Sequence, residues 1–191
     1  MEVCILLLAA GASSRMRGGD KLLERVDGVP LVRRQVLAAL ATGCEVVVCL
    51  PYAVGPRFAA LDGLKCRIVP VPDAGSGMSA SIRAGLVRLS GAVMILPADM
   101  PEIEADDMVA VLDAFDGSVI CRGASEDGRA GHPVVFPERY LEELRGLEGD
   151  QGAREMLRSE PVKLVPLPGR RALVDLDTPE DWAAWRALRD T

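Results

Sequence analysis

The sequence predicts an α/β fold: one doubly wound, mostly parallel sheet with helices on both faces, spanning residues 1–191 as a single domain. Three observations carry this. Short continuous apolar runs recur along the chain, as they do where strands are buried on both faces. Segments with apolar residues at helical spacing separate them. Loops rich in glycine, proline and serine follow the runs, on the edge where such sheets bind ligands.

The elements follow in order. Val3–Leu8 is the first predicted strand. Pro30 is suited to the first position of a helix, and Val32, Val36, Ala39 and Leu40 continue it. Further strands are predicted at Glu45–Leu50, Cys66–Val71, Ala92–Leu96 and Ser118–Cys121. Met78, Ile82, Leu86 and Leu89 make one helical stripe, and Met108, Val111, Leu112 and Phe115 another. In the last third, His132–Phe136 is a short strand, Glu138–Leu144 and Gly152–Leu157 are helices, and Val162–Pro166 and Leu173–Leu176 are extended. Thr178 caps a final helix that has Pro179 in its first turn and carries Trp182, Trp185 and Leu188.

Composition excludes several classes of function. With 49 % hydrophobic and 26 % charged residues, the chain is ordinary globular protein rather than disordered. A net charge of −6 leaves no broad basic face for nucleic acid, and 4 % aromatic residues leave no stacking platform. No run of 18 apolar residues predicts a membrane span, and Glu2 before the first run argues against a signal peptide, so the cytoplasm is expected. Five cysteines without a C-x-x-C pair point to buried thiols rather than disulfides or zinc. Gly 19 and Pro 13 together exceed the usual share of about 12 %.

Those breakers mark the candidate site. Leu8 to Lys21 combines small residues, the hydroxyls of Ser13 and Ser14, and the cations Arg15, Arg17 and Lys21. Backbone N–H groups and cations together neutralise phosphate oxygens. The loop is neither a Walker A motif, since Lys21 follows Asp20, nor a dinucleotide fingerprint, since Ser13 replaces the second glycine. Pro72 to Ser81 holds Gly75, Gly77 and three serines, suited to a flat base or to a plain turn with serine caps. Asp99, between Pro97 and Pro101, stands where a strand-end carboxylate can hold Mg²⁺. His132, between Gly131 and Pro133, is either structural or a phosphate contact. Asp175 and Asp177 lie on one face of an extended segment; one can join a cation site, and Asp177 is the better placed to cap the final helix.

Six segments in this order resemble the nucleotidyltransferases of molybdenum-cofactor biosynthesis, the MobA-like NTP transferases. They are Leu8 to Lys21, Gly77 to Ile82, Pro97 to Pro101, Gly131 to Pro133, Asp150 to Arg154, and Asp175 to Asp181. The nearest likeness is to the cytidylyltransferase branch, with the guanylyltransferase branch next. The resemblance implies the Rossmann-like, nucleotide-diphospho-sugar transferase type of fold. It implies transfer of a nucleoside monophosphate from a triphosphate, CTP favoured, to the terminal phosphate of a molybdopterin-type acceptor. By the same resemblance Ala9, Ala10 and Gly11, with Arg15 and Lys21, cradle the triphosphate, and Pro72, Gly77 and Ser81 line the base site. Asp99 and Asp175 hold Mg²⁺, His132 and Arg154 face the acceptor, and a molybdoenzyme or its chaperone is a transient partner. The family usually reads R-M-G-x-x-K; here Arg17 follows Met16 and Lys21 stands one residue later. The alternatives are GTP or another phosphorylated acceptor, and a nucleotide-binding maturation protein with little turnover.

Overall fold

In a parallel strand buried on both faces, alternate side chains enter opposite layers. Strand β1 (Val3–Leu8) does this: Ile5 and Leu7 enter one apolar layer, Cys4 and Leu6 the other. The computed structural model describes residues 2–149 and 153–189. After β1 come a ribbon of β2 (Arg25–Val26) and β3 (Val29–Pro30), then α1 (Leu31–Ala41), β4 (Glu45–Leu50), α2 (Pro56–Ala60) and β5 (Arg67–Pro70). α3 (Met78–Gly85), β6 (Ala92–Pro97), α4 (Ala105–Asp113), β7 (Ile120–Ala124) and β8 (Ala130–Phe136) follow. The chain closes with α5 (Leu141–Arg145), α6 (Met156–Ser159), β9 (Val162–Pro166) and α7 (Pro179–Arg189).

Among the described residues, seven strands form one sheet in the order β5-β4-β1-β6-β8-β7-β9. β1 pairs parallel with β4 and with β6, and β8 alone runs against its neighbours β6 and β7. The predicted doubly wound, mostly parallel sheet is therefore what forms. One layer packs α1, α4 and α7 through Val36, Met108 and Trp182, and the other packs α3 and α5 through Ala80, Ile82 and Leu144. From β1 the order runs outward both ways, so the chain reverses direction between β1 and β6. Loops leaving adjacent strands there diverge and open a crevice. The register sets its floor: Leu8 lies level with Cys49 and Pro97, so the loops after β1, β4 and β6 start side by side.

Several sequence expectations shift. β7 starts at Ile120 rather than Ser118, because Ser118 donates its backbone N–H to Asp116 Oδ1 at 2.8 Å and closes a turn first. Pro30 sits before α1 with ψ 136°, an extended conformation, so Leu31 opens the helix. Of the extended stretch expected at Leu173–Leu176, Leu173 instead closes a 3-10 turn over Arg171–Leu173, Val174 is extended, and Leu176 N–H bonds the Asp99 carbonyl at 3.2 Å. The predicted helix over Gly152–Leu157 is found only from Met156, with Gly152 outside the described residues. Leu188 is 78 % exposed, whereas Trp182 and Trp185 are buried. All five cysteines are free; Cys4, Cys49 and Cys121 are buried, and Cys44 and Cys66 partly so. Among the described residues no helix is long and apolar enough to cross a membrane.

Candidate functional site

At the crevice, Lys21 Nζ lies 2.5 Å from Asp99 Oδ2 and 2.5 Å from Asp177 Oδ1. The loop after β1 delivers the lysine, the loop after β6 delivers Asp99, and the segment before α7 delivers Asp177. Burial works against the Lys21 ammonium, but the charge of Asp99 and the hydrogen bonds to both carboxylates hold its pKa above the ordinary 10.5. It is therefore a fixed cation at neutral pH. Arg15 reaches Asp177 from the solvent side. Arg17, the additional cation, pairs instead with Glu180 at 2.7 Å on the surface.

Thr178 and Asp181 cap α7 reciprocally: Asp181 N–H bonds Thr178 Oγ1 at 3.1 Å, and Thr178 N–H bonds Asp181 Oδ2 at 2.9 Å. This leaves the Asp177 carboxylate free for Lys21 and Arg15, so it is not the helix cap. Loss of solvent, and then the nearby charge of Asp99, raise the Asp175 carboxyl above its ordinary value.

Asp99 also fits a hard cation. Its Oδ1 is buried and meets no hydrogen-bond donor. Magnesium is commonly held by one or two carboxylates, with water and substrate phosphate completing the shell. Asp99 with Asp175 or Asp177 offers that set. Among the described residues no three acidic, histidine or cysteine side chains form a closed metal cage.

A cavity of about 450 Å³ lies above this cluster, lined by Ala10, Gly11, Arg15, Lys21, Gly77 and Ser81 among others. Gly77 precedes α3 with φ 106°, a conformation that favours glycine. Of the expected base residues, Gly77 and Ser81 line this cavity, while Pro72 lines a neighbouring one of about 490 Å³. Ala9, expected at the phosphates, is buried and lines neither cavity: its N–H donates to the Cys49 carbonyl at 2.9 Å, and its carbonyl accepts from Arg57 at 2.7 Å. Ala10, Gly11 and Ala12 border both cavities.

His132 and Arg154 line a third cavity of about 240 Å³, with Ile82, Val134 and Phe136 among its apolar walls. Met78 borders this cavity and the 450 Å³ one. Because β8 runs against β6, His132 stands at its beginning and still reaches the carboxyl edge of the parallel strands. Burial, and then the positive charge of Arg122, lower the His132 pKa to about 4. The ring is neutral at pH 7, and the cavity's positive charge comes from Arg122, Arg154 and Arg158. Asp150, Gln151 and Gly152 lie outside the described residues.

Sequence reasoning missed Arg122, Arg57 and Gln35. Arg122 Nε bonds the Gly131 carbonyl at 2.7 Å and so stands beside His132. Gln35, fully buried on α1, braces the Asp99 loop through the carbonyls of Met100 at 2.9 Å and Ile103 at 3.2 Å. A polar residue inside the apolar stripe of α1 was its one visible signal. Arg57 had none, because five helical residues show no periodicity.

Comparisons with known proteins identify the family. Residues 5–164 match the MobA-like NTP transferase domain. A probable molybdenum cofactor guanylyltransferase of Trichormus variabilis is 28 % identical over 93 % of this chain and 87 % of its own length. The nicotine blue oxidoreductase of Paenarthrobacter nicotinovorans is 30 % identical over 92 % of each. Solved structures of Rv0371c from Mycobacterium tuberculosis H37Rv, one a complex with manganese, match at TM-scores of 0.84 and 0.82, with 25 % and 23 % identity. They span 100 % of this chain and 99 % and 100 % of theirs. The chain belongs to the MobA-like NTP transferase domain family.

Proposed function

We propose that the chain transfers a nucleoside monophosphate from a triphosphate to the terminal phosphate of a molybdopterin-type acceptor and releases pyrophosphate. The observation that carries this reading is the Lys21–Asp99–Asp177 cluster beneath a backbone-lined cavity that abuts a second, arginine-bearing one. Ala10 and Gly11, with Arg15 and Lys21, hold the phosphates; Pro72, Gly77 and Ser81 take the base; His132 and Arg154, joined by Arg122, take the acceptor. Mg²⁺, held by Asp99 with Asp175 or Asp177, polarises the phosphate oxygens when bound.

An acceptor phosphate oxygen attacks the α-phosphorus; that P–O bond forms as the bond to pyrophosphate breaks. A phosphate monoester is largely ionised at pH 7, so no side chain need remove a proton. Catalysis rests on alignment and on neutralising the departing charge, the work of Lys21 and Arg15. The likeness to the cytidylyltransferase branch favours CTP, whereas a relative's name favours GTP. The reaction is placed in the cytoplasm, with a molybdoenzyme or its chaperone as transient recipient.

The test is pyrophosphate release with Mg²⁺, a molybdopterin-type acceptor, and CTP, GTP, ATP and UTP in turn. Acceptor-dependent release with one pyrimidine or purine triphosphate supports the reading. No release with any of them rejects it. A second reading, redox chemistry on the same fold, rests on the 30 % identity to an oxidoreductase. Oxidation of a reduced nicotinamide without pyrophosphate release favours that one.

A further inference from the structure

We propose that Arg57 is a positioning residue that holds the loop after β1 in its anion-receiving conformation without touching the ligand. The inference rests on the triphosphate reading above. A guanidinium carries five N–H donors in a rigid fork. In Arg57 all five are used inside the protein, and the residue is only 8 % exposed. Nε and one Nη2 hydrogen grip Asp20 at 2.7 and 2.8 Å, and the other Nη2 hydrogen meets Ser13 Oγ at 3.0 Å. Both Nη1 hydrogens go to backbone carbonyls, Ala9 at 2.7 Å and Gly11 at 2.8 Å.

The two carbonyl bonds matter most. In a planar trans peptide the C=O and the following N–H point in opposite directions. Drawing the Ala9 and Gly11 carbonyls toward Arg57 turns the Ala10 and Ala12 N–H groups away from it. Arg57 stands on the 490 Å³ side of the loop. The amides therefore face the 450 Å³ side, where Lys21 lies. Among the described residues the Ala10, Gly11 and Ala12 N–H groups meet no protein acceptor. They are donors held in place with nothing of the protein to bind. The grip on Asp20 fixes the residue before Lys21, and Asp20 Oδ1 also accepts the Leu22 N–H at 3.0 Å, so the lysine is held from both sides. One buried side chain thus orients both parts of the phosphate site, its amides and its cation.

The experiment is titration calorimetry of the full chain with inorganic tripolyphosphate, CTP and GTP. Loss of charge-assisted hydrogen bonds predicts that Arg57→Lys and Arg57→Gln weaken tripolyphosphate binding by about tenfold or more. Asp20→Asn, which keeps the guanidinium and its carbonyl bonds, weakens it less. Guanidinium ion at low, non-denaturing concentration restores binding to Arg57→Ala but not to Lys21→Ala, a rescue that a merely structural role does not give. Binding by folded Arg57→Lys within about twofold of wild type overturns the proposal; should that variant fail to fold, unchanged binding by Asp20→Asn together with no rescue of Arg57→Ala does so. Wild type that binds tripolyphosphate but no nucleotide removes the function proposed above and leaves Arg57 testable. Wild type that binds neither overturns both.

Discussion

The two cavities on either side of Met78 are built from different materials. The 450 Å³ cleft is lined by small residues and unpaired backbone amides, with one fixed lysine and an aspartate beneath. The 240 Å³ cavity has apolar walls, three arginines and a neutral histidine. In the proposed reaction the backbone-lined surface would meet what every nucleoside triphosphate shares, its chain of phosphates, and the side-chain-lined one what is particular to one acceptor. Substitutions on the two sides should accordingly fail in different ways.

The largest effects belong to the cleft. Asp99→Ala is expected to lower pyrophosphate release by about a thousandfold, in the range of losing one charge-stabilising group at a reacting centre. Lys21→Ala should cost about a hundredfold, and Arg17→Ala less than about twofold, because an exposed ion pair contributes little. Arg17 and Glu180 are 72 % and 60 % exposed, against 14 % for Lys21. Equal losses at Lys21 and Arg17 would mean that the extra loop residue has handed the phosphate to Arg17. Initial rates at saturating triphosphate decide between them.

Glycines separate the regions next. A Cβ at Gly131 would stand 1.9 Å from the Ala172 carbonyl oxygen, whereas one at Gly11 would meet nothing within 4 Å. Gly131→Ala should therefore destabilise the fold by about 3 kcal/mol, the upper part of the usual overpacking range. Gly11→Ala should leave thermal unfolding unchanged and raise the KM for triphosphate. The reverse pattern would show that the β1 loop is structural and the His132 turn adaptable.

The pH response of His132 separates the two regions once more. Its folded pKa of about 4 lies below the ordinary 6.5, so between these values the unfolded chain binds the extra proton. Stability therefore falls as pH drops from 6.5 toward 4, by on the order of 3 kcal/mol in all. His132→Gln should flatten that slope in urea unfolding. Acceptor KM should show no inflection from this histidine between pH 6 and 8; a titration there would make it a charged phosphate contact instead.

The loop after β1 was readable because its small residues and cations stand together in one stretch directly behind a strand; the partners that hold it, Asp99, Asp177 and Arg57, lie far along the chain. Leu8 to Lys21 announces its small residues and its cations in one stretch, and β1, β4 and β9 have the predicted bounds. What could not be read depends on side chains brought together by the sheet order. Arg57 and Asp20 are 37 positions apart, and Arg15 and Asp177 are 162 apart. Thr178 was legible as the cap of α7 and takes that role; that Asp177 is thereby left to pair with Lys21 and Arg15 was not legible. The β2–β3 ribbon did have a signal, Asp27-Gly28 with φ of 51° and 79°, but its strands are two residues long and lack alternation.

The one reversed strand has a consequence for how such a fold diversifies. β8 brings its first residues, not its last, to the ligand edge, and it arrives there from a hairpin whose tip spans 125–129. Lengthening that tip costs little closure entropy and leaves β1, β4 and β6 undisturbed. The sheet thus behaves as a fixed jaw facing an exchangeable one. Insertions at that tip would change the edge beside His132 and leave the loops after β1, β4 and β6 in place.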